Sequence, residues 1–398
     1  MIEAKTRAWW RATAALCLGS FLVFINLYVP QPLLPGLKEA YGVSTLMVSL
    51  LMSVSTLSLA LALLVFGPLS DAIGREAIMR ITLFLAGCFS LALAFAPTFE
   101  TLLLLRLLQG FVLGGLPAVA IAWMGDEFDK PALLSAVGLY IGANTLGGIS
   151  GRIVGGGAAE LGGPTAAFLS VGAMTVVGCV VFWRLLPTSQ AFTPKRFQLR
   201  HAIGDLIGHL RTPVLLAAYC LGGINFLIFI NQYSYITFRL ASEPYQLAAS
   251  SLGLIFLTYL GGTFGSTVSG RLAERFSPAG CISAGIIILM FGTAVTLADS
   301  LMLIVVGLTI NAFGFFLAHS LASSWVGRYA QGARGSASSL YLVFYYLGAS
   351  VGGFWLEPFW RWGEWQGIAV GSWLLLGVTL GIGIGMWCFE RRSRQVGH

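Results

Sequence analysis

The chain has 398 residues, of which 57% are apolar and only 10% charged, with a mean hydropathy of +0.83. A soluble protein of this size carries about a quarter charged residues, so a soluble enzyme, a secreted disulfide scaffold and a disordered chain are excluded. Lipid is the solvent for most of its surface.

About 20 helical residues cross a hydrocarbon core of about 30 Å. Apolar blocks of that length fall at 12–30, 45–66, 77–96, 102–123, 132–153, 165–186, 213–236, 249–269, 280–298, 301–325, 334–354 and 367–388, which predicts twelve spans. The first block follows Lys5, Arg7 and Arg11 as a signal peptide would. It ends in Pro30-Gln31-Pro32 rather than in small residues, so it reads as a retained helix.

Twelve spans put the tails and every second connection on one side of the membrane. That side holds 18 of the 23 Lys and Arg residues, while the acids divide nine against seven. The bias is one of basic residues, as the positive-inside rule requires, and it places both termini in the cytoplasm. The formal charge of +7 is thus a topology signal spread over short segments, and nucleic acid is not an expected partner. The six cysteines are scattered singly and form no CxxC pair, so neither a metal nor another cofactor is expected. No nucleotide or hydrolase motif is present, so the chain does not read as an enzyme.

The longest polar connection is 187–212, with Lys195, Arg196, Arg200, His201 and Arg211. It reads as a cytoplasmic linker between an N-terminal bundle, 1–186, and a C-terminal bundle, 213–398, with a short surface helix near Ile203 to Leu210. Gly67-Pro68-Leu69-Ser70-Asp71-Ala72-Ile73-Gly74-Arg75, read as the loop after span two, has a degraded copy at Gly270 to Ser277, with Glu274 and Arg275 in the charged positions. The offset is 203 residues. Ala122-Trp123-Met124-Gly125 answers Ser324-Trp325-Val326-Gly327 at an offset of 202. Six spans therefore match six in the same order and orientation, a parallel repeat of the kind that relates the halves of a two-bundle transporter.

On these motifs the chain resembles the major facilitator superfamily over essentially its whole length. Gly67-x-Leu69-x-Asp71-x-x-Gly74-Arg75 is similar to the superfamily signature between helices two and three. Arg106-x-x-Gln109-Gly110 resembles the helix-four motif of the drug/proton antiporter branch. Gly147-x-x-x-Gly151-Arg152-x-x-Gly155-Gly156 resembles its helix-five motif, with Arg152 where that motif has proline. The resemblance implies an all-α polytopic fold of two pseudo-symmetric six-helix bundles in a bacterial inner membrane, and a monomer. It also implies that Asp71 and Arg75 latch the halves, with Gly67 and Gly74 shaping the turn and Glu274 and Arg275 as weaker counterparts, and that Arg106 couples proton movement to conformation.

The residues support candidates of their own. An intramembrane Arg is expensive and marks a functional site by default, which singles out Arg106, with Gln109 one turn on. Arg152 is expected either to bind an anion or to close an outer gate on Glu160, Glu357 or Glu364. Gly147, Gly151 and Gly155 recur every four residues and allow close helix approach. His319 lies deep in span ten, where an imidazole, with an unperturbed pKa of about 6.5, suits proton exchange and a structural hydrogen bond to a neighbouring Ser or amide is the alternative role, whereas no Asp or Glu sits at the middle of a span. Polar and aromatic residues at mid-depth are the expected cavity wall: Asn26, Tyr28, Tyr140 and Asn144 in the first half, and Asn225, Phe229, Asn231, Gln232, Tyr235, Asn311, Tyr341, Tyr345 and Tyr346 in the second. An aromatic lining with few charges suits a largely apolar organic molecule. The expected activity is proton-driven export of such a compound, the alternatives being exchange of an anionic metabolite and a sensor that does not transport.

Overall fold

The computed structural model describes residues 1–189, 199–331 and 334–396; Lys195 and Arg196 of the expected linker lie outside them. The described residues form α1 (Arg7–Tyr28), α2 (Leu34–Tyr41), α3 (Thr45–Ile73), α4 (Arg75–Leu93), α5 (Phe99–Leu113), α6 (Gly115–Glu127), α7 (Lys130–Leu185), α8 (Leu199–Leu210), α9 (Pro213–Ala241), α10 (Ala249–Ile255), α11 (Tyr259–Arg275), α12 (Pro278–Val295), α13 (Leu301–Tyr329) and α14 (Arg334–Val396). Several helix starts carry side-chain caps, which satisfy amides that have no partner inside the helix. Thr6 accepts from Trp9 N, Ser44 from Met47 N, Asp129 from Ala132 N and Ser277 from Gly280 N.

Ten helical stretches are long and apolar enough to cross a membrane. Two of them are double. A straight helix of the 56 residues of α7 would run about 84 Å, far more than a bilayer needs. The backbone of α7 leaves helical geometry at Gly162 (φ −152°) and Gly163 (φ 69°, ψ −173°). That of α14 does so at Gly363 (φ −156°) and Glu364 (φ 45°, ψ −125°). Each therefore holds two crossings, and the total is the twelve expected.

One expectation needs correction. The stretch from Gly67 to Arg75 is not a loop, since α3 runs through Pro68 to Ile73 and only Gly74 turns the chain, at φ 100°. A single residue in a region open mainly to glycine suffices, and across that turn Asp71 in the last turn of α3 meets Arg75 at the start of α4. Likewise α11 continues through Glu274 and Arg275. The helix predicted near Ile203 to Leu210 is present as α8, which begins four residues earlier, at Leu199.

The chain divides into two compact units, Met1–Leu199 with Leu247–Leu254, and Arg200–Gln246 with Ile255–His398. The same packing device recurs in both. A methyl group built on Gly147 or Gly151 of α7 would lie 2.5 Å from the carbonyl oxygen of Phe21 or of Ile25 in α1, and Gly155 approaches Val29. In the second unit Gly348 and Gly352 of α14 approach the carbonyls of Gly223 and Leu227 in α9. The carbonyls are 202 residues apart in both cases, and the glycines 201. Trp123 and Trp325, also an offset of 202, are both buried.

The two breaks also correspond, but one uses glycine and the other glutamate. No atom lies within 4 Å of a methyl group placed on Gly163, so its cost there is backbone strain alone. We expect Gly163→Ala to destabilise the purified protein by about 1–2 kcal/mol and Glu364→Gly to stabilise it by about 1 kcal/mol, read from thermal unfolding in detergent. Equal midpoints for both variants and the parent protein would contradict the assigned strain.

Candidate functional site

The end of α1 creates a hydrogen-bonding deficit in the first unit. Pro30 and Pro32 have no N–H, so the carbonyls of Asn26 and Tyr28, four residues earlier, lose their helical donors. Arg106 of α5 supplies the first. Its Nη1 donates to Asn26 O at 3.1 Å and its Nη2 to Leu27 O at 2.9 Å, while Nε reaches Leu51 O of α3 at 3.3 Å. Nη1 also donates to Gln109 Oε1 at 2.6 Å. The amide of Gln109 donates to Asn26 Oδ1 at 3.3 Å and to Ala86 O of α4 at 3.4 Å, and Asn26 Nδ2 donates to Thr175 Oγ1 of α7 at 2.6 Å. The network of this fully buried guanidinium with Gln109 and Asn26 thus ties together five helices. No carboxylate pairs with it among the described residues; the negative end of the α1 dipole takes that place.

Arg152 of α7 is 1% exposed. Its Nε donates to Gln31 Oε1 at 2.8 Å and its Nη1 to Gly148 O at 2.9 Å, and its guanidinium lies 4.0 Å from the Tyr28 ring centre. Both residues beneath it come from the segment that closes α1. Glu357, one of the acids expected opposite Arg152, accepts from Tyr235 Oη and from Arg361 Nε, each at 2.9 Å, in the second unit. Nearby in the first unit, Ser20 donates to Asn144, and the Tyr140 hydroxyl is buried without a partner.

The charged motif closes on itself. Arg75 bonds Asp71 at 3.1 Å, donates to Ala122 O at 2.8 Å and pairs with Asp126. It borders a cavity of about 360 Å³ with Glu76, Arg80, Trp123 and Ser189. Ser189, at the start of the linker, bonds Glu76 and Glu127. The counterpart is bare by comparison. Neither Glu274 nor Arg275 forms an ion pair among the described residues, and Arg275 lies 5.7 Å from the Phe276 ring centre.

In the second unit the expected cavity residues separate into two groups. Asn231 donates to Leu227 O and Ala349 O at 2.9 and 3.0 Å. Asn311 donates to Gln232 Oε1 at 2.8 Å and to Thr293 Oγ1 at 3.0 Å, and Gln232 Nε2 donates to Thr293 at 3.1 Å. These amides, like Asn26 and Gln109, join helices of their own unit instead of standing open to a ligand. Asn311 is the counterpart of Gln109, and it too reaches a carbonyl of the preceding span, Leu289 O at 3.4 Å.

The second group is aromatic. Phe229 stacks on Phe315 at 3.9 Å and 3°, and Phe226 stacks on Tyr345 at 3.6 Å and 10°. His319 continues the Phe315 stack at 5.7 Å, lies 4.7 Å from Tyr345 and shares a hydrogen bond of 2.9 Å between Nδ1 and the Tyr341 hydroxyl. Tyr346 meets Phe226 edge-on. Phe226 and Phe315, at the centre of the cluster, were not singled out by sequence, because apolar aromatics in spans more often face lipid. Gln31 and Thr175 were missed as well. The signal for Gln31 was present in Pro30-Gln31-Pro32, a break that leaves carbonyls open.

A duplicated six-span unit with polar clamps at membrane depth defines a polytopic membrane transporter. Residues 16–353 match the family model described as Major Facilitator Superfamily, and the chain belongs to that superfamily. It is 36% identical over 395 residues, 99% of this chain and 96% of the relative, to the "Uncharacterized MFS-type transporter YybF" of Bacillus subtilis (strain 168). It is 34% identical over 384 residues, 96% of this chain and 92% of the relative, to the "Inner membrane transport protein YnfM" of Escherichia coli (strain K12). Among solved structures, a bacterial homologue of the human lysosomal transporter Spinster superposes with a TM-score of 0.75, covering 97% of each chain at 17% identity.

Two outcomes follow from these contacts. Gly151→Ala drives a methyl group onto the backbone of α1 and should destabilise by about 1–3 kcal/mol. Gly157→Ala, at a position with nothing within 4 Å, should be neutral or stabilising by up to about 1 kcal/mol. Arg106→Lys keeps the charge but offers three N–H groups to four acceptors, and should lower stability by about 1–3 kcal/mol. Thermal unfolding in detergent checks both, and an unchanged midpoint in Arg106→Lys would contradict the clamp.

Proposed function

We propose that the protein exports a small, largely apolar or amphipathic organic compound by alternating access, in exchange for protons, across a bacterial inner membrane. The observation that carries this reading is the aromatic cluster of α9, α13 and α14, built around the single histidine at mid-depth and without a carboxylate among its members. Large, weakly polar ring faces recognise apolar solutes through area and quadrupole contacts rather than charge. Similarity to YnfM, an inner membrane transport protein by name, supports the inner membrane as the location.

His319 is the proposed coupling residue. As neutral imidazole it can accept the Tyr341 hydroxyl proton at Nδ1; as imidazolium it must donate to the Tyr341 oxygen instead. Taking up a proton therefore reverses that hydrogen bond and puts a charge against three ring faces, which alters the surface offered to a solute. Asp71 and Arg75, held with Asp126, are proposed as the inner latch, and the glycine seam of α7 as the surface that repacks.

Uptake or exchange of an anionic metabolite is the alternative that Arg106, Arg152 and the lack of acids at the middle of the spans suggest. Four of the five N–H groups of Arg106 are engaged, and Arg152 is seated on Gln31 and Tyr28, which speaks against either guanidinium as the primary ligand of a carboxylate. No observation favours a sensor that does not transport.

Inverted vesicles test the reading with a panel of aromatic dyes and antibiotics beside organic acids. We expect accumulation of members of the aromatic set when the lumen is acid, its collapse on dissipating the pH gradient, and loss of gradient-driven accumulation in His319→Gln with counterflow retained. Counterflow confined to organic acids and indifferent to the pH gradient would overturn it.

A further inference from the structure

Among the described residues, every buried carboxamide other than that of Asn225, on Asn26, Gln31, Gln109, Asn231, Gln232 and Asn311, makes at least one hydrogen bond. Asn225 is 2% exposed, and neither its Oδ1 nor its Nδ2 has a partner. A buried carboxamide left unbonded is unfavourable, and such groups in native structures call for an explanation.

The surroundings of Asn225 are specific. It lies on the α9 stripe Gly222, Asn225, Phe226 and Phe229, spaced i, i+3, i+4 and i+7 and so on one face. Gly222 is packed under the Tyr341 ring, Phe226 on Tyr345 and Phe229 on Phe315. By helical rise Asn225 is about 18 Å along α9, His319 about 15 Å from the end of α13 and Tyr345 about 16 Å along α14, all counted from ends on the same side. The unbonded amide therefore shares a depth and a helix face with the aromatic cluster.

A carboxamide offers one acceptor and one donor side by side. It is complemented by a group that presents a donor and an acceptor in the same way, which is a neutral amide or lactam; a carboxylate would leave the Asn225 oxygen unmatched. We infer that Asn225 is a specificity-determining residue that selects planar aromatic solutes bearing a neutral amide or lactam edge, bonding that edge while the ring lies against the Phe226 and Tyr345 cluster. The inference rests on the proposed aromatic site and adds its polar selectivity. It also gives Asn225 a role distinct from the amides that join helices.

Three naphthalene probes of matched shape test it on the purified full chain in detergent, by ligand-induced thermal shift and by tryptophan quenching. 2-Naphthamide has both donor and acceptor, 2-acetonaphthone the acceptor alone, and 2-naphthoate a charge. The expected result for the unaltered protein is naphthamide bound about tenfold or more tighter than either other probe. In Asn225→Leu naphthamide should weaken more than acetonaphthone, so that the preference falls below about twofold, and Tyr345→Leu should weaken both neutral probes. Equal binding of naphthamide and acetonaphthone to the unaltered protein overturns the inference yet leaves the aromatic site standing, and needs no variant to fold. An undiminished preference in Asn225→Leu overturns it in the same way. Binding of none of the three overturns the aromatic site along with it.

Discussion

A backbone carbonyl inside a bilayer has no water to turn to, so any helix that breaks there must find its donors within the protein. α1 breaks at Pro30-Gln31-Pro32, and the first unit is organised around the repair. Arg106 bonds the last carbonyls of α1 and at the same time α3 and Gln109; Arg152 bonds Gln31 and covers Tyr28. This explains how two buried cations persist at positions where an isolated charge costs roughly 2.5–3.5 kcal/mol to insert. Each serves as a multiple donor to carbonyl and amide oxygens, and Arg106 does so without a carboxylate.

The two units keep the packing of their common plan and differ in the chemistry laid over it. Glycines in α7 and α14 meet backbone carbonyls of α1 and α9 at matching positions, and an amide near the middle of α5 or α13 reaches the carbonyl of the span before it. The Arg106 position, however, corresponds to Leu308 in the second unit. There, the stacked rings and His319 lie further along α13, with Phe315 about 10 Å and His319 about 16 Å beyond the level of Leu308. We read this as a division of labour, with the first unit a rigid frame and the second the proposed recognition surface.

The spans, the half-chain repeat and the glycine seam were legible because each depends on hydropathy, spacing or residue size along one helix. Which amides are open to a solute was not, because that depends on the register between helices. Asn225 and Asn231 are six residues apart on α9 and alike in sequence terms, yet Asn231 meets Ala349 O and Asn225 meets no polar group. The extent of the charged motif was misjudged for a related reason. Glycine and proline at Gly67 and Pro68 read as a loop, whereas a helix within a packed bundle tolerates both, and only Gly74 needs a backbone region barred to other residues. Glu364 is the reverse case, a glutamate in a backbone region that favours glycine, which nothing in its local sequence announces.

The central claim is that the aromatic face of the second unit lines a pathway open in turn to each side of the membrane. It is tested most directly by placing single cysteines at Asn225 and Tyr345 after replacing the six free cysteines, Cys17, Cys88, Cys179, Cys220, Cys281 and Cys388. Each cysteine is then labelled with an impermeant maleimide in right-side-out and in inverted vesicles. The account predicts labelling from both sides at both positions, slowed from both by a bound aromatic solute. Labelling from one side only, or none from either, would contradict it.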